Sequence, residues 1–301
     1  MQPLLARIQE FLAAPRLEPG RVFHGRGQKY PGLEHVVVDW YPPLVMIVAY
    51  SEFEGAQSLA GHIQACDHLG QVESVLLQKR FEKGAPASWL VGEPLEEVVV
   101  TESGLNFLVK PGRRQNSGLF LDMRPTRQWL AANSAGKNVL NLFAYTCSLS
   151  VAALKGGASA VTNVDMSRPS LEWGRQNHAL NDQPAESVTY IPHNLFKSWG
   201  RVRQFGRYDL VIIDPPTRQR GSFDAGKDYG AVLKRLASLV NPGAEVIACL
   251  NSPFLEREFL LERFGRTNPD AIYLEDMEVA SEFADAQPQR GLKICRFRMP
   301  G

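Results

Sequence analysis

The stretch from Asn138 to Ser167 constrains the fold more than any other part of the chain. It opens on an apolar run, Val139-Leu140-Asn141-Leu142-Phe143, too short for a helix and apolar enough for a buried strand. A turn, Ala144-Tyr145-Thr146-Cys147-Ser148, leads into an apolar helical face from Leu149 to Lys155, closed by Gly156-Gly157. A second strand, Ala160 to Val164, ends on Asp165. Strand, turn, helix and strand with an acidic tip form one half of a nucleotide-binding α/β sheet, with the carboxylate where a ribose diol would lie. Alone, that pattern fits any adenosine cofactor.

The remainder extends the alternation. Ser167 caps a helix predicted to Leu180, and a strand from Ser187 to Ile191 ends near His193-Asn194-Leu195-Phe196. The strand Tyr208 to Ile213 ends in Asp214-Pro215-Pro216. A helix from Ala225 to Leu239, a strand from Glu245 to Leu250 and a helix from Phe254 to Phe264 follow, then strands near Ala271–Val279 and Leu292–Met299. Such a series predicts a Rossmann-like α/β fold, a mostly parallel sheet with right-handed crossovers and an antiparallel edge strand.

Before it, Leu4, Leu5, Ile8, Phe11 and Leu12 show helical spacing. Strand-like runs at 36–40, 44–50, 74–77 and 98–101 surround a helix over 57–66. These elements predict a small α+β module. The expected boundaries are an N-terminal helix over 1–19, the α+β domain over 20–103 and the larger domain over 104–301.

Composition excludes several classes. A chain of 301 residues with 44% apolar content suits two domains with real cores. Lys and Arg (33) nearly balance Asp and Glu (32), so no global basic field marks a nucleic-acid partner. No apolar run approaches membrane-spanning length, and nothing near Met1 reads as a signal peptide. The four cysteines lack a CxxC pair and the six histidines form no metal spacing, so reduced thiols in a cytoplasmic protein without a metal are expected.

Several segments together carry a resemblance. Gly118-Leu-Phe-Leu-Asp-Met-Arg124, the turn from Asn141 to Thr146, Asp165, Asn194-Leu-Phe196 and Asp214-Pro-Pro216 resemble the bacterial large-subunit ribosomal RNA methyltransferases of the I and K/L type. His24-Gly-Arg-Gly27, Tyr30-Pro-Gly-Leu33 and Val38-Asp39-Trp40 are similar to the small domain that precedes the catalytic one there. The likeness spans roughly residues 20 to 300; the residues before it are too few for a counterpart of the I-type PUA domain. It implies a class I methyltransferase fold, S-adenosylmethionine as cofactor and ribosomal RNA as substrate, and leaves a homodimer open. A small-molecule or protein methyltransferase, or a noncatalytic binding protein of the same fold, are the competing classes.

By the same resemblance, Arg124, Asn141, Phe143, Tyr145, Ser148, Asp165, Met166, Asn194, Leu195 and Asp214 are the cofactor-binding candidates. Asp165 alternatively caps the turn after it, and Leu195 is either a pocket wall or core. Asn194 stands where relatives carry Asp for the adenine amino group. Cys147 and Ser148 stand where relatives have glycines, so side chains there are expected to crowd the cofactor. Asp214, Pro215, Pro216 and Asn251 are the catalytic candidates: the prolines stiffen a loop whose carbonyls can be aimed at a nitrogen. The aromatic that commonly follows is replaced by Thr217 and Arg218, so the base platform is either missing or supplied from elsewhere, by Phe223 or Tyr229. Arg218 and Arg220 either hold RNA or form an exposed basic loop. Carbon-5 methylation needs a thiol nucleophile; its position holds Asn251, as in the K type, and Cys249 reads as core, so transfer to nitrogen is expected. The loop 284–288 either borders the substrate or closes the sheet.

Overall fold

Two sheets with separate cores account for most of the apolar sequence. The computed structural model describes residues 1–219 and 222–301, and the chain forms two compact units. One comprises Met1–Asp122 with Ala280–Pro288, the other Met123–Val279 with Gln289–Gly301.

In the first unit, α1 (Gln2–Leu12) and α2 (Ala56–Cys66) pack on a sheet of β1 (Gly20–His24), β2 (Val36–Tyr41), β3 (Leu44–Ala49), β4 (Ser74–Lys79) and β5 (Ala87–Val91), ordered as numbered. Only β3 and β4 run parallel, because α2 makes the crossover between them. Leu4, Ile8 and Leu12, four residues apart on α1, bury with Leu59 and Ile63 against Val38, Trp40, Ile47 and Val75. A separate hairpin joins β6 (Val98–Glu102) to β7 (Leu105–Val109). The expected boundary at 103/104 falls inside its turn, where Ser103 (φ 51°) and Gly104 (φ 73°) are both left-handed, as a two-residue hairpin turn requires.

Residues 280–288 belong to this unit and do not close the other sheet. Ala286 N–H donates to Gly27 O at 2.7 Å, and a Cβ on Gly27 would lie 2.6 Å from Ala284 O, so only glycine admits the segment. Phe283 lies under the Arg21 guanidinium at 4.1 Å, while Arg21 grips Asp39 through two bonds of 2.8 and 3.1 Å.

The second unit is built from α3 (Arg124–Asn133), β8 (Asn138–Leu142), α4 (Ser148–Lys155), β9 (Ala160–Val164), α5 (Arg168–Ala179), β10 (Val188–Ile191), α6 (Trp199–Gln204) and β11 (Tyr208–Ile213). The short pair β12 (Arg218–Gln219) and β13 (Phe223–Asp224) follows, then α7 (Ala225–Leu233), β14 (Val240–Leu250), α8 (Arg257–Thr267), β15 (Ile272–Asp276) and β16 (Lys293–Arg298). Its sheet runs β10-β9-β8-β11-β14-β16-β15, parallel from β10 to β14. The antiparallel strand is β16, one in from the edge, with β15 outside it.

Helices α6, α7 and α8 bury Trp199, Val202, Tyr229, Val232, Leu260 and Phe264 on one face of this sheet. On the other, α4 lies on β8 and β9 with α3 and α5 against it. The sequence periodicity misses α3, because its buried face is Thr126, Arg127 and Leu130, with a single apolar residue. The helix expected to reach Leu239 ends at Leu233 and gives way to a 3₁₀ turn at Leu236–Ser238. Strand β14 begins earlier than expected, bulging through Pro242-Gly243 between the pairs Tyr208–Val240 and Leu210–Glu245.

Helix α5 approaches the turn after β8 closely because Gly174 has no side chain. A Cβ there would lie 2.3 Å from Cys147 Sγ and 2.9 Å from Cys147 Cβ. Gly174→Ala should therefore lower stability by about 1–3 kcal/mol, the overpacking cost exceeding the helix-propensity gain of about 1 kcal/mol. Cys147→Gly in the same chain should restore most of the loss, since it removes the obstructing thiol. Equal midpoints in urea for the single and double variants would show that the two residues are not coupled.

Candidate active site

The strand order reverses between β8 and β11, so the crevice at their carboxyl ends is the topological switch point of the sheet. The turn leaving β8 there carries three left-handed residues, none of them glycine: Phe143 (φ 61°), Tyr145 (φ 47°) and Cys147 (φ 64°). Each costs about 1 kcal/mol or more and persists only where the surroundings enforce it.

Bonds on every side enforce it. Ala144 N–H donates to Val164 O at 3.0 Å, and Tyr145 N–H to Asp165 Oδ2 at 2.9 Å. Asn177 Nδ2 on α5 donates to Thr146 O at 2.9 Å. Ser150 Oγ donates to Cys147 O at 3.0 Å and lies 3.0 Å from His178 Nε2. His178 Nδ1 is 2.6 Å from Gln183 Oε1, whose amide nitrogen donates to Val151 O at 2.8 Å. Burial lowers His178 to about 4, so its ring is neutral at pH 7.

Asp165 sits half-buried at the tip of β9. Its Oδ2 holds Tyr145 and its Oδ1 accepts Ser167 N–H at 2.8 Å, so it does cap the following turn. Each oxygen uses one lone pair in this way and keeps another. Burial raises its pKa, while the Ser167 and Tyr145 amides act in the opposite sense. Met166 beside it is 46% exposed.

Asn141, expected at the mouth of the turn, is 1% exposed and donates to Asn163 Oδ1 at 3.0 Å within the sheet. Asn141 Oδ1 and Asn163 Nδ2 are buried with no partner. The crowding expected from Cys147 does not arise from its thiol, which is fully buried against α5 at Gly174. Burial and the neighbouring Asp165 raise the thiol pKa, which keeps it protonated and inert. Ser148 opens α4, half-buried.

At the neighbouring strand ends, Asn194 Oδ1 accepts Phe196 N–H at 2.9 Å and caps a short 3₁₀ turn. Leu195 is core, 6% exposed. His193 is exposed, its Nε2 3.3 Å from an Arg201 guanidinium nitrogen. Phe223 and Tyr229 do not form an open platform. Both are buried in an aromatic cluster, Phe223 meeting Phe143 at 5.0 Å and Tyr229 donating its hydroxyl to Cys249 O at 3.0 Å. The Cys249 side chain is fully buried, as a core residue is.

Asp214 and Pro216 lie half-buried around a buried Pro215. Thr217 Oγ1 donates to Asn251 O, which ties the Asp214 loop to the end of β14 and brings the four catalytic candidates into one linked segment pair. Lys293, only 8% exposed, supports that end by donating to Ser252 O and Gln289 O. Burial lowers its pKa and Glu256 opposes the shift. Arg218 is exposed, 3.9 Å from Asp224, and Arg220 lies outside the described residues. Arg124 is the first residue of α3 and half-buried.

Sequence reasoning missed Gly174, Asn177, His178, Thr217 and Lys293. The first three share the inward face of α5 with Leu171, and polar residues at helix-core spacing were the available signal. Among the described residues no group of His, Cys, Asp and Glu can hold a metal ion, and no helix is long and apolar enough to cross a membrane.

Residues 20–298 match the family model described as S-adenosylmethionine-dependent methyltransferase. The ribosomal RNA large subunit methyltransferase K/L of Shewanella pealeana is 35% identical over 243 residues, 76% of this chain and 33% of that protein. Its namesake from Vibrio cholerae is 30% identical over 269 residues, 79% of this chain and 38% of the relative. The chain thus spans about a third of the length of the curated relatives it matches. The crystal structure of SMU.776, complexed with SAH, superposes with a TM-score of 0.85 at 23% identity, covering 99% of this chain and 81% of that one, which shows the same fold. The chain belongs to the S-adenosylmethionine-dependent methyltransferase family.

Proposed function

We propose that this chain binds S-adenosylmethionine across the carboxyl ends of β8, β9 and β11 and methylates a nitrogen of a base in large-subunit ribosomal RNA. One observation carries the reading: Asp165 and Asp214 end the two strands that flank β8, on either side of its left-handed turn. The curated relatives' names support the substrate class.

The donor set fits the cofactor. The free lone pairs of Asp165 accept the two ribose hydroxyls, and exposed Met166 covers an adenine face. Asn194 retains one carbonyl lone pair for the adenine amino group, having used the other on Phe196. The first-turn amides of α4 favour the carboxylate of the methionine end. When bound, the cofactor supplies an electrophilic methyl group.

The remaining work is positional. Pro215 and Pro216 remove two backbone donors and fix φ, so their loop presents acceptors in a set direction. Asp214 orients the target nitrogen and holds its departing proton. The bond from Thr217 to Asn251 makes the two loops one frame. Proximity and exclusion of water then supply most of the rate. No thiol adduct is required: Asn251 stands at the nucleophile position and Cys249 is buried.

Asp165→Ala should weaken SAH binding by about 1.5–3 kcal/mol in calorimetry, through loss of two charge-assisted bonds. A folded variant with the parent dissociation constant would remove Asp165 from the ribose role.

Asp214→Ala should bind SAH like the parent yet lose roughly a hundredfold or more in methyl transfer to unmodified ribosomal RNA. Cys249→Ser should keep measurable turnover. A trapped covalent RNA adduct, or a Cys249→Ser protein that binds SAH but is inactive, would overturn transfer to nitrogen.

A further inference from the structure

Four segments of the first unit converge at the carboxyl ends of β3 and β4. Ala49 and Lys79 are cross-strand partners in the parallel pair, so Tyr50 and Arg80, the next residue of each strand, emerge side by side. Arg80 Nη1 donates to the Tyr50 hydroxyl at 2.8 Å, and its guanidinium carbon lies 5.6 Å from the ring centroid. Arg26, in the turn after β1, stacks its guanidinium on the same ring at 4.2 Å.

The fourth segment is the basic turn Lys110-Pro-Gly-Arg-Arg-Gln115. Arg80 Nη2 donates to Gln115 O at 2.6 Å and to Asn116 Oδ1, while Gln78 Nε2 donates to Arg114 O at 2.8 Å. The turn is therefore moored beside the two guanidiniums, with the Arg113 and Arg114 side chains exposed.

The charge balance here differs from that at the paired arginines of the same chain. Arg21, Arg257 and Arg296 each contact a carboxylate within 3.1 Å. Among the described residues Arg26 and Arg80 contact none; their partners are one phenol, backbone and an amide. Arg80 Nε is buried without a partner, as is Gln78 Oε1. Burial pushes the Tyr50 phenol up, yet Arg80 and then Arg26 hold it below its ordinary value. Carboxylates in the surrounding segments are already engaged, Glu82 with Lys79 and Glu97 with Lys110 and Arg113. Glu52 and Glu54, on the segment after Tyr50, are both exposed and form no ion pair with either guanidinium among the described residues.

Two guanidiniums on one ring without a counter-carboxylate repel each other, and an anion between them relieves that repulsion. Arginine forks match phosphate oxygens, and a half-exposed tyrosine offers a hydroxyl and a ring face to a nucleotide. We infer that Arg26, Tyr50 and Arg80, extended by Arg114, form an RNA-backbone site on the first unit. The inference rests on ribosomal RNA as the substrate. Cations spread over a turn and a ring suit successive phosphodiesters of a strand better than a single free phosphate.

Arg26 and Arg114 are exposed, so their replacement leaves the fold intact. Binding of a fluorescein-labelled transcript of large-subunit ribosomal RNA, followed by anisotropy from low to high salt, is the test. Arg26→Ala and Arg114→Ala should each weaken binding about fivefold or more near 0.1 M salt and reduce the log–log salt slope by about one. Arg26→Lys should restore the slope but only part of the affinity, because it keeps the charge and loses the fork. SAH affinity should stay at the parent value in all three.

The parent slope and affinity in the Arg26→Ala, Arg114→Ala double variant would overturn the site. If that variant still methylated RNA normally, the proposed function would stand without it. Displacement of RNA by inorganic phosphate beyond the effect of chloride at equal ionic strength would reassign the residues to a free anion. A parent protein that bound SAH but no RNA would overturn both the site and the RNA reading.

Discussion

Asp165 holds the turn from Phe143 to Cys147 by one of its oxygens, and much else at the site depends on that bond. Three left-handed residues without a glycine are a costly path for a chain, on the order of 1–3 kcal/mol each. The carboxylate of the next strand, the Asn177 amide and the Ser150 hydroxyl oppose that cost from three directions. The same carboxylate keeps one lone pair on each oxygen beside the turn that it shapes. Loss of the side chain removes the Tyr145 and Ser167 bonds together and frees a strained turn.

Room for this geometry is made on α5. Where a glycine would relieve φ at position 147, this chain has a cysteine, and its side chain needs a place to go. Gly174 supplies it, and the thiol is fully buried against α5. The neutral His178 ring and Gln183 close the polar circuit behind it without introducing charge. Beneath, the Asn141–Asn163 pair places amides in a sheet otherwise packed with Val139, Val161 and Ile212, leaving two buried polar atoms unpaired. Such unpaired atoms normally cost about 1–3 kcal/mol each, so the strands under the turn are less stable than an apolar pair would make them.

The alternation of apolar runs with helical faces made the parallel sheet legible, and the acidic strand tips located its crevice. Those signals are local and periodic. The sequence misled wherever a long-range contact decided the outcome. Residues 280–288 read as a loop near the last strand, but Gly27, far away in the chain, admits them to the first unit. Phe223 read as a stacking platform by its position after Asp214, but Phe143 and Tyr229 draw it into the core. Asn141 opens the Asn141–Thr146 turn motif, and its cross-strand partner Asn163 on β9 takes its amide within the sheet. Helix α3 left no periodic trace because Arg127 is one of its buried residues, and buried cations are absent from any apolar pattern.

Electrostatics follow the same division between global and local. With 33 basic and 32 acidic side chains the chain has almost no net field, and exposed charges are screened beyond about 10 Å at 0.1 M salt. Attraction for a polyanion must then come from cations whose own counter-charges are missing at close range. Several arginine forks here are already matched: Arg296 and Arg298 both reach Glu245, and Arg21 is held by Asp39 with its charge buried. Matched pairs contribute little to an approaching phosphate, because each carboxylate cancels the field of its partner. Among the described residues the guanidiniums at Tyr50 have no such partner, and the Gln115 carbonyl and the Asn116 amide orient Arg80 without neutralising it. In a chain of near-zero net charge, pairing rather than composition decides where an anion can bind.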